Sequence, residues 1–491
     1  MQHAHRILCL LVLLISPLVL FAEDKKPAKK EETLTPEQIK KIVTDYLKEK
    51  EQKDKKKAAE AKEKDKKKED PAYVVGEETE FRVFWRNGLR MATKDGAFKV
   101  HVGGRIHSDF TWWNSEDAVE VGPLGVGRLQ DGGGFRRARI RVNGTMYETI
   151  TWLMEYGFES GSPAFFDVYG DIKSVPVVGN FRIGHFREPF SLDALTAGNE
   201  LTFVERSLIQ DAFVPFRNLG IMIHDRFLDG AASWALGGFR SVSNAVAADA
   251  GERNYAVTGR LTWNPWYEQG RYAMHFGIAA SHRHNPLRNG MGMINPVTGL
   301  PRVRFATRPE ERINAPRFVD TGFIIADNTQ LLGAEFALGT GPFLLQTEYV
   351  LAFNPNTSLP GDVGNRGTAM FHGGYIQLSY FLTGEHRPYS RTRAVFGRAT
   401  PYENAFHVKD ECCGHRRGWG AWELGTRYSY INLNDQGIQG GILHNWTVGL
   451  NWHLNRSSRF MCNYILSYRD VAGTLSDGLT RILAARYQID F

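Results

Sequence analysis

The chain has 491 residues with 60 Lys and Arg against 54 Asp and Glu, a net charge of +6 and a mean hydropathy of -0.34. Beyond the first 22 residues there is no run of about 18 apolar residues, which excludes helical membrane spans, and four cysteines without paired spacing exclude a disulfide framework or a Cys/His metal centre. The 50 Gly, 30 Phe, 18 Tyr and 11 Trp fit many short aromatic strands joined by polar loops.

At the N-terminus, His3, His5 and Arg6 precede an apolar run from Ile7 to Phe21, and Glu23-Asp24-Lys25-Lys26 follows it. This is the layout of an export signal, expected over residues 1–22 with cleavage near Ala22. Cys9 lies too early in the run to be a lipidated cysteine. Residues 23–80 are expected to form a charged periplasmic tail. Between Glu23 and Asp70 it holds 17 Lys and 14 Asp/Glu, too many charges to bury a core. Inside it, Thr35-Pro36-Glu37-Gln38 reads as a capping box with proline at the first helical position. Ile39, Ile42, Val43, Tyr46 and Leu47 then form one apolar stripe. Such a helix either self-associates as a short coiled coil, touches the cell wall, or stays solvated.

From Phe81 to Phe491 the chain alternates, and alternation assigns faces. Arg105 follows Gly103-Gly104 with one parity. In Phe135-Arg136-Arg137-Ala138-Arg139-Ile140-Arg141-Val142-Asn143, parity places Arg137, Arg139, Arg141 and Asn143 opposite Ala138, Ile140 and Val142. An arginine facing lipid near the midplane costs about 2–4 kcal/mol, so this ladder must face water or protein. Ile150, Trp152, Met154, Tyr156 and Phe158 share one face, with Leu153, Glu155 and Glu159 on the other. Phe166, Val168, Gly170 and Ile172 likewise oppose Asp167, Tyr169, Asp171 and Lys173, and Arg182 opposes Phe181 and Ile183. The segments Ser281 to Pro316 and His386 to Arg417 are rich in arginine, proline and glycine and read as extracellular loops. Later strands repeat the pattern: Trp422, Leu424, Thr426 and Tyr428 against Glu423, Arg427 and Ser429, and Trp446, Val448, Leu450 and Trp452 against Thr447, Asn451 and His453. The last strand puts Leu483, Ala485, Tyr487, Ile489 and Phe491 on one face, as the closing strand of a transmembrane barrel does.

The fold class is therefore all-β: a transmembrane antiparallel β-barrel over residues 81–491, preceded by a signal peptide and a charged, partly helical tail. Rows of guanidinium groups along a pore wall attract anions, with a fork suited to phosphate and carboxylate. The competing reading pairs each arginine with a wall carboxylate such as Glu155, Asp167, Asp171 or Glu423 and leaves the lumen nearly neutral.

Several stretches, in order, resemble the phosphate-selective porins of the O and P type. They are Gly103-Gly104-Arg105, Phe135-Arg136-Arg137-Ala138-Arg139, Asp167-Val168-Tyr169, Gly184-His185-Phe186-Arg187-Glu188-Pro189-Phe190-Ser191-Leu192 and Leu201-Thr202-Phe203-Val204-Glu205-Arg206-Ser207. Phe381-Leu382-Thr383-Gly384-Glu385, the segment from Gly420 to Ser429 and the segment from Gly449 to Asn455 continue the likeness. The resemblance implies an outer-membrane barrel of about sixteen strands, within the even-numbered range of such barrels. It also implies a trimer, a constriction loop folded inward and arginines guiding anions. By the same likeness Arg136 and Arg137 match a pair near the constriction, Asp167 an inward aspartate beside the anion path, and Arg206 a cation of the constriction-loop region. Where adjacent serines are expected in that loop, this chain has Leu195-Thr196-Ala197-Gly198-Asn199.

The candidate anion-path residues are thus Arg105, Arg136, Arg137, Arg139, Arg141, Asp167, Arg182 and Arg206. Small anions, outer-membrane lipid and a second and third copy of the chain are the expected partners. No cofactor, metal or nucleic-acid motif is present, and no nucleophile-base constellation points to an enzyme. The alternative function is a mainly structural outer-membrane barrel with a periplasmic tether and little selectivity.

Overall fold

The computed structural model describes Lys50 and residues 80–491, apart from 160, 241–253, 289–298, 363, 411–413 and 472–474. The export signal, the tail helix and the Cys412-Cys413 pair lie outside the described residues.

A hairpin of β1 (Phe81–Trp85) and β2 (Leu89–Thr93) leads into β3 (Lys99–Ser115), β4 (Gly132–Met146), β5 (Ile150–Gly157), β6 (Ala164–Val175), β7 (Gly179–Arg187) and β8 (Arg217–Phe227). Then come β9 (Ala232–Arg240), β10 (Tyr255–Glu268), β11 (Tyr272–His284), β12 (Asn328–Thr340), β13 (Phe343–Asn354) and β14 (Ala369–Phe381). The last four are β15 (Ala421–Asp435), β16 (Ile438–Asn455), β17 (Ser458–Asp470) and β18 (Gly478–Asp490). From β3 onward each strand pairs antiparallel with the next, and β18 returns to β3 from Thr480↔Ser115 to Asp490↔Arg105. Sixteen strands thus close a barrel, which leaves no open edge in the membrane.

The terminal residue completes the closure. Phe491 N donates to Gly104 O at 3.0 Å, and Gly104 N donates to Phe491 O at 2.7 Å. A Cβ on Gly104 would come within 2.6 Å of the Phe491 ring, so the glycine is what lets the last ring lie against β3.

Alternation holds around the wall. Ile140, Met154, Leu424, Trp446, Leu450 and Leu483 are exposed outward, while Glu155, Arg427, Asn451 and Arg486 are buried inside. The outward aromatics form two belts, as expected where a barrel meets the membrane interfaces. Trp422, Trp452, Phe460 and Tyr487 stack across β15 to β18 with centroids 5.2, 6.1 and 4.7 Å apart. Nearer the other end, Tyr349, His372, Tyr430, His444 and Tyr468 run across β13 to β17 at 5.9, 5.7, 5.1 and 6.5 Å.

The connection lengths give the barrel its orientation. At the Phe491 end most joins are tight turns, such as 341–342 and 456–457, whereas the opposite end carries the loops 116–131, 188–216 and 285–327. Short turns mark the periplasmic side. The arginine-rich segment from His386 to Arg417 corrects the sequence expectation: it belongs to the 382–420 connection, which lies at the Phe491 end and not outside the cell. Arg398 Nη2 stands 2.8 Å from Asp490 Oδ2, and Ala405 N donates to Leu454 O at 2.6 Å.

Candidate functional site

The 188–216 loop folds into the barrel because its own residues are apolar and the wall supplies partners for its backbone. Phe190, Leu192, Phe203, Val204, Leu208 and Ile209 are all fully buried. Ser191 caps the short helix Leu192–Leu195 by accepting from Ala194 N at 3.1 Å. Glu348 on β13 accepts from Leu192 N at 3.0 Å and Asp193 N at 2.7 Å, and Tyr375 donates to it at 2.5 Å.

Wall arginines hold the loop from the other side. Arg486 Nη1 donates to Val204 O at 2.6 Å, Arg459 Nη1 to Leu201 O at 2.8 Å and Arg427 Nη2 to Glu205 O at 3.1 Å. Arg486 also bridges Asp109 at 2.6 Å and Glu205 at 3.0 Å. Of the expected site residues, Arg206 lies inside this loop. Its Nε donates to Asp193 O at 2.8 Å and its Nη2 to Thr196 O at 2.5 Å, so it ties the loop to itself. Burial pushes its guanidinium down to about 10, which leaves it charged at neutral pH.

The ladder on β4 faces this loop. Strict alternation would put Arg136 outward, but a bulge intervenes: His107 pairs with Arg137 and Ser108 with Phe135, so Arg136 is an extra residue. The bulge also turns Phe135 outward, where it is exposed, while Arg136 and Arg137 both point inward. Arg136 grips Glu205 at 2.6 and 3.0 Å, and Arg137 Nη1 lies 3.1 Å from His107 Nδ1. A second bulge, between the pairs Met154↔Val168 and Tyr156↔Phe165, corrects the expectation for Phe166. That ring faces inward beside Asp167, with Arg139 Cζ 3.3 Å and Arg217 Cζ 5.2 Å from its centroid.

Six of the eight candidates have a partner of opposite charge, Arg206 through the Asp193 carboxylate only at 4.0 Å. Arg105 Nη2 stands 2.7 Å from Glu155, Arg139 Nη1 3.0 Å from the same carboxylate, and Arg182 Nη2 2.7 Å from Asp171. Asp167 is met by Arg217 at 2.7 Å, and Arg136 by Glu205 as above. Arg137 and Arg141 have no carboxylate partner among the described residues. Arg137 borders the loop directly: a Cβ on Gly198 would sit 2.9 Å from its Nε. The positions where serines were expected, Ala197 and Gly198, therefore leave room for this guanidinium and offer it no hydroxyl.

Arg217, Arg459 and Arg486 are not singled out by the sequence, which places Arg427 on the inward face but not among the site residues. The signal for Arg486 was present, since the alternation that sends Leu483, Ala485 and Tyr487 outward sends Arg486 inward.

The family model described as "Phosphate-selective porin O and P" matches residues 100–491. The chain belongs to this family. An uncharacterised protein of Caulobacter vibrioides is 27% identical over 439 residues, covering 86% of this chain and 79% of that protein. Porin O of Pseudomonas aeruginosa is 24% identical over 410 residues, covering 78% of this chain and 86% of the relative. Among solved structures, the outer membrane channel DcaP of Acinetobacter baumannii aligns with TM-score 0.48 and 9% identity, over 81% of this chain and 99% of that one. OmpF of Salmonella typhi, in complex with daunomycin, aligns with TM-score 0.45 and 10% identity, over 83% of this chain and all of that one, 100%. Its family and its closed sixteen-strand barrel make the protein an outer-membrane β-barrel porin.

Proposed function

We propose that this porin passes small oxyanions by passive diffusion, and that its anion preference comes from Arg137 and Arg141 more than from the ladder as a whole. The observation that carries this is the pairing pattern. A guanidinium neutralised by a carboxylate at 2.7 Å, as Arg105 and Arg182 are, contributes little net field to a passing ion. Arg137 stands against the constriction loop, and Arg141 further along β4 toward the Phe491 end, without a carboxylate in ion-pair contact among the described residues. With no hydroxyl at positions 197 and 198, phosphate gains no neutral donor there over chloride, so general anion preference is the expected behaviour.

Reversal potentials in a planar bilayer under a salt gradient test the assignment. R137Q/R141Q is expected to move the wild-type anion preference to near zero or to cation preference. The charge-neutral pair exchange R182Q/D171N is expected to leave it unchanged. Equal effects from both variants, or no preference in the wild type, would sink the reading.

The second reading, a mainly structural barrel with low selectivity, is favoured by the dense pairing of the lumen. It predicts no stepwise conductance, or conductance without ion preference, in the same experiment. A homotrimer is proposed with either reading, as is a periplasmic or wall-contacting role for residues 23–80, and cross-linking in the outer membrane tests both.

A further inference from the structure

At the loop end of the barrel a cavity of about 440 Å³ opens between the tops of β10 and β11, the 285–327 loop and the short helix Leu208–Ala212. Arg283, Arg288, Arg302, Arg304 and Arg317 line it, together with one carboxylate, Asp211. The carboxylates nearby are already engaged. Asp211 is held by Arg308 at 3.4 Å and by Arg312, and Asp320 by Arg304, with Arg317 only at 4.0 Å. Glu188 takes Arg283 at 2.7 Å. Arg302 meets no carboxylate among the described residues, and its buried Nε has no hydrogen-bond partner. A buried, unpartnered guanidinium nitrogen is costly unless a ligand meets it.

The walls are not only cationic. Phe323 lies 5.5 Å from Arg304 Cζ, and Tyr255 lines the cavity from β10. Size then separates the ligand classes. An inorganic oxyanion fills roughly two water volumes, on the order of 60 Å³. The gap beside Arg136, between the 188–216 and 285–327 loops, is about 30 Å³, whereas 440 Å³ is the size of an organic-ligand site.

We propose that this cavity binds an organic phosphate carrying a ring, of nucleoside monophosphate size, with the phosphate on Arg302 and its neighbours and the ring against Phe323 and Tyr255. The bidentate fork of arginine suits the phosphate, and guanidinium-stacked aromatic faces suit a planar ring. Binding here is independent of conduction, so it holds whether or not the pore selects anions.

Isothermal titration of the full-length protein in detergent at low salt, with adenosine 5′-monophosphate, adenosine and inorganic phosphate as probes, tests the site. The monophosphate is expected to bind at least tenfold more tightly than either of the other two, and more weakly as salt rises. R302Q is expected to weaken the monophosphate at least fivefold, and F323A to weaken it without altering inorganic phosphate. Folding of each variant is checked by its heat-resistant electrophoretic mobility, and if R302Q does not fold, F323A carries the test. Monophosphate binding no tighter than phosphate or adenosine, or unaffected by F323A, would overturn the proposal.

Discussion

At the scale of single residues, the lumen is organised by where guanidiniums find carboxylates. Arg486 is the extreme case, fully buried and joined to Asp109, Glu205 and the Val204 carbonyl at once. Removing one member of a buried pair leaves an uncompensated charge, at about 3–5 kcal/mol. R486Q is therefore expected to lower the barrel's unfolding midpoint in urea markedly and to raise open-channel noise, since the constriction loop loses its anchor at Val204. R182Q, whose side chain is 22% exposed, removes a wetter pair, expected to be worth less than about 1 kcal/mol. Equal losses from the two would show that burial does not govern these pairs. Parity alone puts Arg105, Arg137, Arg139, Arg141 and Arg182 on the correct inward side. It misplaced Phe166, because a bulge adds one residue without any local signature that alternation can register. The partners were less legible still. Arg486 and Asp109 stand 377 positions apart, so only the closed register of β18 on β3 brings them together.

At the scale of elements, the strands were legible and their connections were not. Period-two alternation marks each strand by itself, but the side on which a connection lies depends on counting every strand before it. That is why 382–420 reads as an outer loop until the sixteen strands are in place. Residues 305–313 of the 285–327 connection also turn inward. Thr307 Oγ1 donates to Leu208 O at 3.0 Å, and Arg427 Nη2 stands 2.7 Å from Glu310 on this loop. Next to it, Glu311 accepts from the backbone N–H of Arg312 at 2.8 Å and of Ile313 at 2.9 Å. Burial first, then the charges of Glu205 and Asp109, push its carboxyl from 4.5 up to about 7. The docked loop thus holds this proton more tightly than a free loop would. Docking is strongest below pH 4.5 and weakens as pH rises to about 7, where the docked carboxyl ionises. Amide exchange over residues 305–313 is expected to be slower at pH 5 than at pH 8, after correction for intrinsic rates, and E311Q is expected to abolish most of that difference. A pH dependence that survives in E311Q would have to come from another group.

At the scale of the whole molecule, the lumen is narrowed from both ends. From outside comes the 188–216 loop, backed by 285–327. From the Phe491 end the 382–420 connection rises to meet it. Leu192 of the constriction helix packs in one buried cluster with Tyr389, Val395 and Phe396 of that connection. Tyr389 OH is 2.7 Å from His275 Nδ1 on β11, and Arg387 is bound to Glu423 on β15 at 2.7 Å. Arg387 also donates to the Glu200 carbonyl of the constriction loop, so the two inserts are joined directly. The bases of β14 and β15 are already adjacent, since Phe381 pairs with Glu423, and a short turn can replace residues 386–417 without breaking the barrel. That replacement removes one of two stacked obstructions and uncovers Leu192, a side chain whose full burial is worth about 1.5–3 kcal/mol. The expected result in a planar bilayer is a larger unit conductance with more frequent closures, because the remaining loop is wider open below and less firmly seated. If the conductance stays at the wild-type value, the narrowest point of the path lies wholly between the 188–216 and 285–327 loops, and the lower insert only braces it.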